Sequence, residues 1–230
     1  MNKKDVAIVL AGGIGVRMEA SRPKQFLDLS EKPIIIHTLE RFEKNIQISL
    51  VAVVCHMDYV EYLDELVKKN GLKKVYKIIP GGETRQESSF IGIKNCSPGT
   101  ECVLIHDAVR PFIDDKIIED TLTAAKETGA AGTVIDTADT IVVTEGHFIK
   151  EIPDRKNLKR IQTPQGFCYK TITEAHEWAL KKGIKDATDD CGLVLAMGRP
   201  VRAVSGSVFN IKITDQADLS LAEKFIAMVQ

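Results

Sequence analysis

Cysteine is sparse: five residues at 55, 96, 102, 168 and 191, odd in number and without a CxxC pair. That spacing offers no disulfide framework and no thiolate zinc site, so free thiols in a reducing cytoplasm are expected. The five histidines show no HExxH or comparable spacing, which argues against a structural zinc. Charge of one sign is also lacking. With 31 basic residues against 32 acidic ones and a net charge of −1, nothing global draws the chain to nucleic acid or to an anionic bilayer. No stretch approaches the ~18 uninterrupted apolar residues of a membrane span. The Met-Asn-Lys-Lys-Asp start meets glycines where a secretory signal would still need apolar length. Low-complexity linkers and internal repeats are missing, and residues 1–230 read as a single domain.

What is present is ordinary globular material, 44% hydrophobic and 27% charged, well away from disorder. Asp5 to Leu10 is a short, nearly unbroken apolar run ending at glycines, the texture of a strand buried on both faces. Residues 49–55, 75–79, 102–105 and 132–135 repeat it. Between them lie helical patterns. Asp58 to Asn70 puts Val60, Leu63, Leu66 and Val67 on one face, and Asp115 to Thr128 does the same with Ile117, Ile118, Leu122 and Ala125. Gly71 and Gly129 mark the helix ends. The alternation predicts an α/β fold, a mostly parallel sheet with helices on both faces, whose ligands sit outside the carboxyl ends of the strands. Between 137 and 160 the rhythm breaks into a β-hairpin, residues 140–144 and 148–152 around a Glu-Gly-His turn. A projecting hairpin leaves open edges, so it either packs back or pairs with another chain, and a dimer contact is the favoured reading. Residues 216–229 read as a closing helix.

Directly after the first strand comes Ala11-Gly-Gly-Ile-Gly-Val-Arg-Met18. Glycines let backbone amides approach and surround phosphate oxygens. Met18 stands where a dinucleotide fingerprint needs its third glycine, and the Gly-Lys-Ser/Thr of a Walker A loop is absent. Arg17 and Lys24 supply instead a forked and a compact cation, a combination suited to a triphosphate, although a plain glycine-rich turn with solvated basic residues reads equally well. Another glycine turn, Gly81-Gly-Glu-Thr-Arg-Gln-Glu-Ser88, opens a later helix. There amides and the Ser88 hydroxyl can read a base or ribose, although Ser88 is equally an ordinary helix residue. Asp107 and Arg110 close a later strand. They can serve as a Mg²⁺ ligand and an anion-binding group, or form a plain ion pair. Asp139-Thr140, Arg155 with Arg160-Ile-Gln-Thr-Pro-Gln165, and Ala187-Thr-Asp-Asp190 are weaker polar clusters, since Thr-Asp pairs commonly cap helices. Lys212 sits in the apolar, strand-like run 209–214, where an ammonium either finds an anion or snorkels to solvent.

In their order along the chain, AGGIGVRM, PKQF, GGETRQESS, HDAVRPF, DT, QTPQGF, TDD and NIKIT resemble the 2-C-methyl-D-erythritol 4-phosphate cytidylyltransferases. The resemblance implies the Rossmann-like nucleotide-diphospho-sugar transferase fold, with the hairpin as a dimerising β-arm at about 137–160. It also implies the transfer of CMP from CTP to the sugar-alcohol phosphate, with loss of pyrophosphate. On that similarity Ala11, Gly12, Gly13, Gly82, Glu83 and Ser88 hold CTP, while Arg17 and Lys24 take its phosphates. Asp107 takes Mg²⁺, and Arg110, Thr140, Thr188 and Lys212 hold the acceptor, with Arg155 reaching across a homodimer. Arg17, Lys24 and Lys212 are the implied catalytic cations. In one respect the chain departs from the pattern: Ile141-Val142 follows Asp139-Thr140 where many members place a basic residue. A related branch, which makes CDP-ribitol from ribitol 5-phosphate, tends to lack that charge and to carry a stretch like Ile152-Pro-Asp-Arg-Lys156. A catalytically idle nucleotide-binding protein is the rival from another class; it need not keep four charges arranged for phosphate chemistry.

Overall fold

The computed structural model describes residues 3–13 and 22–229. Seven strands build its central sheet: β1 (Lys4–Ala11), β4 (Leu50–Cys55), β5 (Val75–Pro80), β6 (Thr100–Asp107), β7 (Ala130–Asp136), β10 (Lys159–Cys168) and β11 (Arg202–Ser205). Across the sheet they lie in the order β11-β7-β10-β6-β1-β4-β5. All neighbours run parallel except β10, which is antiparallel to both β6 and β7. Two short ladders stand outside the sheet: β2 (Asp28–Leu29) with β3 (Lys32–Pro33), and β8 (Val143–Glu145) with β9 (Phe148–Glu151).

Period-two alternation gives each central strand two apolar faces. Ala7 and Val9 of β1 join α1 (Ile34–Lys44), α2 (Val60–Lys69) and α4 (Asp115–Thr128) in one core. Val6 and Ile8 join α3 (Arg85–Lys94), α5 (Tyr169–Lys181) and α6 (Asp190–Ala196) in the other. The last helix, α7 (Gln216–Val229), packs Leu219 and Ala222 against Ile34, Val109 and Ile213.

Expected and observed elements coincide where apolar pattern and capping agree. The helix at 115–128 begins with Asp114 accepting from the Ile117 amide and ends at Gly129, whose φ of 90° is the left-handed cap glycine supplies. Expected and observed structure part at 209–214, where a loop replaces the strand-like reading. The backbone groups of that segment are taken by side chains, by local turns and by the loop after β6 rather than by a neighbouring strand: Arg110 and Gln162 bond the Asn210 carbonyl, the Ile211 amide donates to Phe209 O, and the Ile213 amide donates to Val109 O. The hairpin is present with its turn at Gly146. All five cysteines are unbridged. Among the described residues no helix is long and apolar enough to cross a membrane.

The strand order positions the site. The chain runs outward from β1 through β4 to β5, then crosses back to lay β6 on the other side of β1. Loops leaving β1 and β6 therefore diverge, and the crevice between them opens at the carboxyl ends of the strands.

Candidate active site

That crevice is a cleft of about 270 Å³ lined by Ala11, Gly12, Gly13, Lys24, Gly82, Glu83, Arg85, Ser88, Asp107 and Lys212. A groove beside β7 and β11 is larger, about 450 Å³, but carries only Asp136 and Lys159 as charged lining. Charge, not size, distinguishes the first.

Each wall follows from local chemistry. The turn after β1 is held from behind by Gln25, whose buried amide donates to Ala11 O at 2.6 Å and Gly13 O at 3.0 Å. This bond docks the short helical turn Lys24–Phe26 against the glycines and brings Lys24 to the cleft. The glycine turn after β5 is shaped by the start of α3. Thr84 caps the helix by accepting from the Glu87 amide, Glu87 accepts from the Glu83 amide, and the Gly82 amide donates to Ser88 Oγ at 3.1 Å. A Cβ on Gly82 would stand 2.3 Å from the Glu87 side chain. A Cβ on Gly12 would meet Ser88 Oγ at 3.6 Å, so the two turns face each other. Ser88 is therefore both a helix residue and part of the cleft.

Asp107 ends β6 at the base of the cleft. Lys212 Nζ lies 2.9 Å from its Oδ2, Arg110 Nε 3.6 Å from the same oxygen, and Arg85 Nε 4.0 Å from Oδ1. Burial works against a charged carboxylate, but Lys212, Arg85 and Arg110 outweigh it and hold Asp107 far below the usual range. The anion that Lys212 wanted is thus Asp107. The backbone amide of Asp107 donates to Thr163 Oγ1, which contacts His106 Nδ1; His106 Nε2 meets the Arg110 carbonyl. Burial pushes the His106 imidazole down to about 4, so the ring is neutral near pH 7. A carbonyl only accepts, so Nε2 carries the proton and Nδ1 accepts from the threonine. The loop bearing Lys212 is clamped by the same neighbourhood. Asn210 Nδ2 donates to Thr163 O at 2.8 Å, while its carbonyl accepts from Arg110 NH1 at 2.8 Å and from Gln162 Nε2 at 3.2 Å.

The sequence-derived residues fall into three groups. Ala11, Gly12, Gly13, Lys24, Gly82, Glu83, Ser88, Asp107 and Lys212 meet at one cleft. Arg110, Thr140, Arg155 and Thr188 do not line it. Arg110 is 8% exposed and joins Asp107 to the Lys212 loop; Thr140 and Thr188 are exposed; and Arg155, exposed near the foot of the hairpin, donates to Ala138 O. Arg17 lies outside the described residues. Sequence reasoning assigned no role to Arg85, inside GGETRQESS, or to Asp190, inside the Thr188-Asp-Asp190 cluster. Along the chain Arg85 resembles any first-turn residue, and Asp190 resembles a helix cap beside Asp189, which is the actual cap of α6.

Among the described residues no three His, Cys, Asp or Glu side chains form a metal cluster. Mg²⁺ that keeps its waters and takes oxygens from phosphates needs only one or two carboxylates. Asp107 on the cleft wall fits that kind of ion and does not fit a cage built wholly of protein.

A profile of the family described as IspD, 2-C-methyl-D-erythritol 4-phosphate cytidylyltransferase, matches residues 6–228. The protein of that name from Clostridium novyi is 41% identical over 229 residues, covering 99% of this chain and 98% of the relative. A ribitol-5-phosphate cytidylyltransferase from Vibrio parahaemolyticus is 40% identical over 227 residues, covering 96% and 95%. Among solved structures, the 4-diphosphocytidyl-2C-methyl-D-erythritol synthase of Anaerococcus prevotii superposes with a TM-score of 0.86 at 28% identity, over 98% of this chain and 99% of that one. The 2-C-methyl-D-erythritol 4-phosphate cytidylyltransferase of Thermus thermophilus gives 0.78 at 31%, over 96% and 98%.

Proposed function

We propose, for a chain that belongs to the 2-C-methyl-D-erythritol 4-phosphate cytidylyltransferase family and is thereby a nucleotidyltransferase, that it moves the CMP group of CTP onto 2-C-methyl-D-erythritol 4-phosphate and releases pyrophosphate. The observation that carries this reading is the convergence of both glycine turns, Lys24, Lys212 and Asp107 on one cleft. Ala11, Gly12, Gly13, Gly82, Glu83 and Ser88 receive the nucleotide through amides and a hydroxyl, while Lys24 and Lys212 face its phosphates; the same role is proposed for Arg17 from its place in the motif.

The acceptor is a phosphate monoester, largely deprotonated at neutral pH, so no side chain need remove a proton. One of its oxygens attacks the α-phosphorus in line. The new P–O bond forms as the bond to the bridging oxygen breaks, and pyrophosphate leaves with that electron pair. Lys24 and Lys212 stabilise the charge spreading over the phosphoryl oxygens, and the rigid turns hold the reactants aligned. Asp107 would hold Mg²⁺, which when bound supplies charge neutralisation and polarisation of the phosphoryl oxygens. Arg110 supplies positive charge on the acceptor side.

Thr140 and Arg155, exposed at the hairpin, serve the acceptor only if the arm meets the cleft of a second copy. The arm carries the apolar surface for such pairing: Phe148 is 81% exposed, Ile149 63% and Ile152 61%. We therefore include a homodimer in the proposal.

An alternative acceptor has specific support. The Vibrio relative is named for ribitol 5-phosphate, and Val142 stands where a basic residue often does. Incubation with CTP, Mg²⁺ and each acceptor in turn, followed by pyrophosphate release, separates the two. Faster release with 2-C-methyl-D-erythritol 4-phosphate is expected. Equal or faster release with ribitol 5-phosphate would move the assignment, and none with either would leave a nucleotide-binding protein without turnover.

A further inference from the structure

Behind the cleft lies a buried polar chain to which the proposed reaction gives no role, although Arg85 and Ser89 fall within GGETRQESS and Asp190 within TDD. Asp190 opens α6 yet is only 1% exposed. Its Oδ1 accepts from Ser89 Oγ at 2.6 Å and meets His176 Nε2 at 2.9 Å; its Oδ2 accepts from Arg85 NH1 at 2.7 Å. An ionised carboxylate only accepts, so His176 presents its Nε2 proton. The imidazole is in turn stacked on Phe90, with centroids 5.1 Å apart and planes 4° from parallel. The Asp190 backbone amide donates to Gln165 Oε1 of β10 at 2.9 Å. Two helices, α3 and α5, thus hold the carboxylate, and β10 holds its backbone.

A buried ion pair tying α3 to α6 would be a sufficient account were it not for where Arg85 stands. Arg85 lines the cleft between Glu83, Ser88 and Lys212, and its Nε comes within 4.0 Å of Asp107. Among the described residues its side-chain hydrogen bond is the one to Asp190. A guanidinium is a planar fork of five donors. With NH1 tied backward to a carboxylate that cannot move, the plane is set, and the rest of the fork is available to the cleft it lines. Planar, prealigned donors suit phosphate oxygens.

We infer that Asp190 is a positioning residue which, locked by Ser89 and His176, fixes the Arg85 guanidinium in the cleft wall, where Arg85 binds the phosphate chain of the nucleotide. The inference rests on the cytidylyltransferase reading for the identity of that ligand.

The test compares wild type with Arg85→Met, Arg85→Lys, Asp190→Asn and Ser89→Ala. CTP binding in the presence of Mg²⁺ is measured by calorimetry, cytidine binding by saturation-transfer NMR, and folding by thermal melting. Arg85→Met should weaken CTP by at least about tenfold, the worth of one charge-assisted hydrogen bond, and leave cytidine within about twofold. Arg85→Lys should recover part of that loss. Asp190→Asn, which keeps shape and loses charge, should weaken CTP selectively by several-fold. Ser89→Ala, which keeps the charge and loosens its anchor, should do the same more mildly and decides the matter if Asp190→Asn does not fold. Wild-type CTP affinity in Arg85→Met, or equal loss of CTP and cytidine, overturns the role of Arg85. Wild-type affinity in both Asp190→Asn and Ser89→Ala overturns the positioning. A wild-type protein that binds no CTP and releases no pyrophosphate fails the cytidylyltransferase reading itself and takes the inference with it.

Discussion

Asp107 shows how one residue is set by its surroundings. Burial alone would favour its neutral form, yet three cations from three different segments hold it ionised. Lys212 contributes the shortest of these contacts and, in the proposed reaction, also faces the phosphates, so Lys212→Ala should lower kcat by roughly 10²-fold, the loss typical of removing one oxyanion-stabilising donor. Steady-state pyrophosphate release checks this, with a melt to show that the fold persists. Lysine in an apolar run was already suspicious in the sequence. That its anion comes from the end of β6 was not, since 105 positions separate residues 107 and 212. Thiols give another prediction at this scale. Burial pushes Cys55 up to about 11 and Cys96 up to about 12, leaving almost no thiolate at pH 8. Brief alkylation of the native protein at pH 8 should therefore leave both unmodified by mass spectrometry, whereas labelling in denaturant should reach all five cysteines.

At the scale of elements, α3 matters most, because its first turns carry Arg85 and Ser88. Gly92 lets this helix lie against the sheet: a Cβ there would stand 2.6 Å from Ile8 Cγ2 and 3.1 Å from Val54 Cγ2. Gly92→Ala gains about 1 kcal/mol of helix propensity but meets an overpacking cost of about 1–3 kcal/mol. Net destabilisation of about 1 kcal/mol is expected by urea titration, with weaker CTP binding as α3 is pushed outward. Legibility differed sharply among elements. The helix at 115–128 was readable because its apolar face and Gly129 terminus agree, and the Asp114 cap seen in the structure agrees with both. β10 was not. Gln162, Thr163 and Gln165 are buried polar residues next to a proline, and only their bonds to Ser207, His106 and Asp190 make such a strand tolerable in the interior.

At the scale of the whole molecule, the proposed pairing makes the arm part of the catalytic apparatus. Replacing Phe148 and Ile149 together with glutamate should yield a monomer by sedimentation velocity where the unmodified protein is expected to be a dimer, and turnover should fall with it. A fully active monomer would detach Thr140 and Arg155 from the reaction. The arm's existence was readable from its turn and alternation; what it touches was not, because exposed apolar residues declare a need for cover without naming the cover.

Local chemistry along the chain determined that β1, β4, β5, β6 and β7 become strands, where the glycine turns fall and which side chains beside them carry positive charge, because these depend on neighbours a few residues apart. Only the tertiary structure decided which charges meet. Crossing back from β5 to β6 beside β1 opened the crevice, brought Lys212 to Asp107 and set Asp190 behind Arg85. Such pairings join residues about a hundred positions apart, and electrostatics between them depends on distance in space, for which sequence separation is no guide.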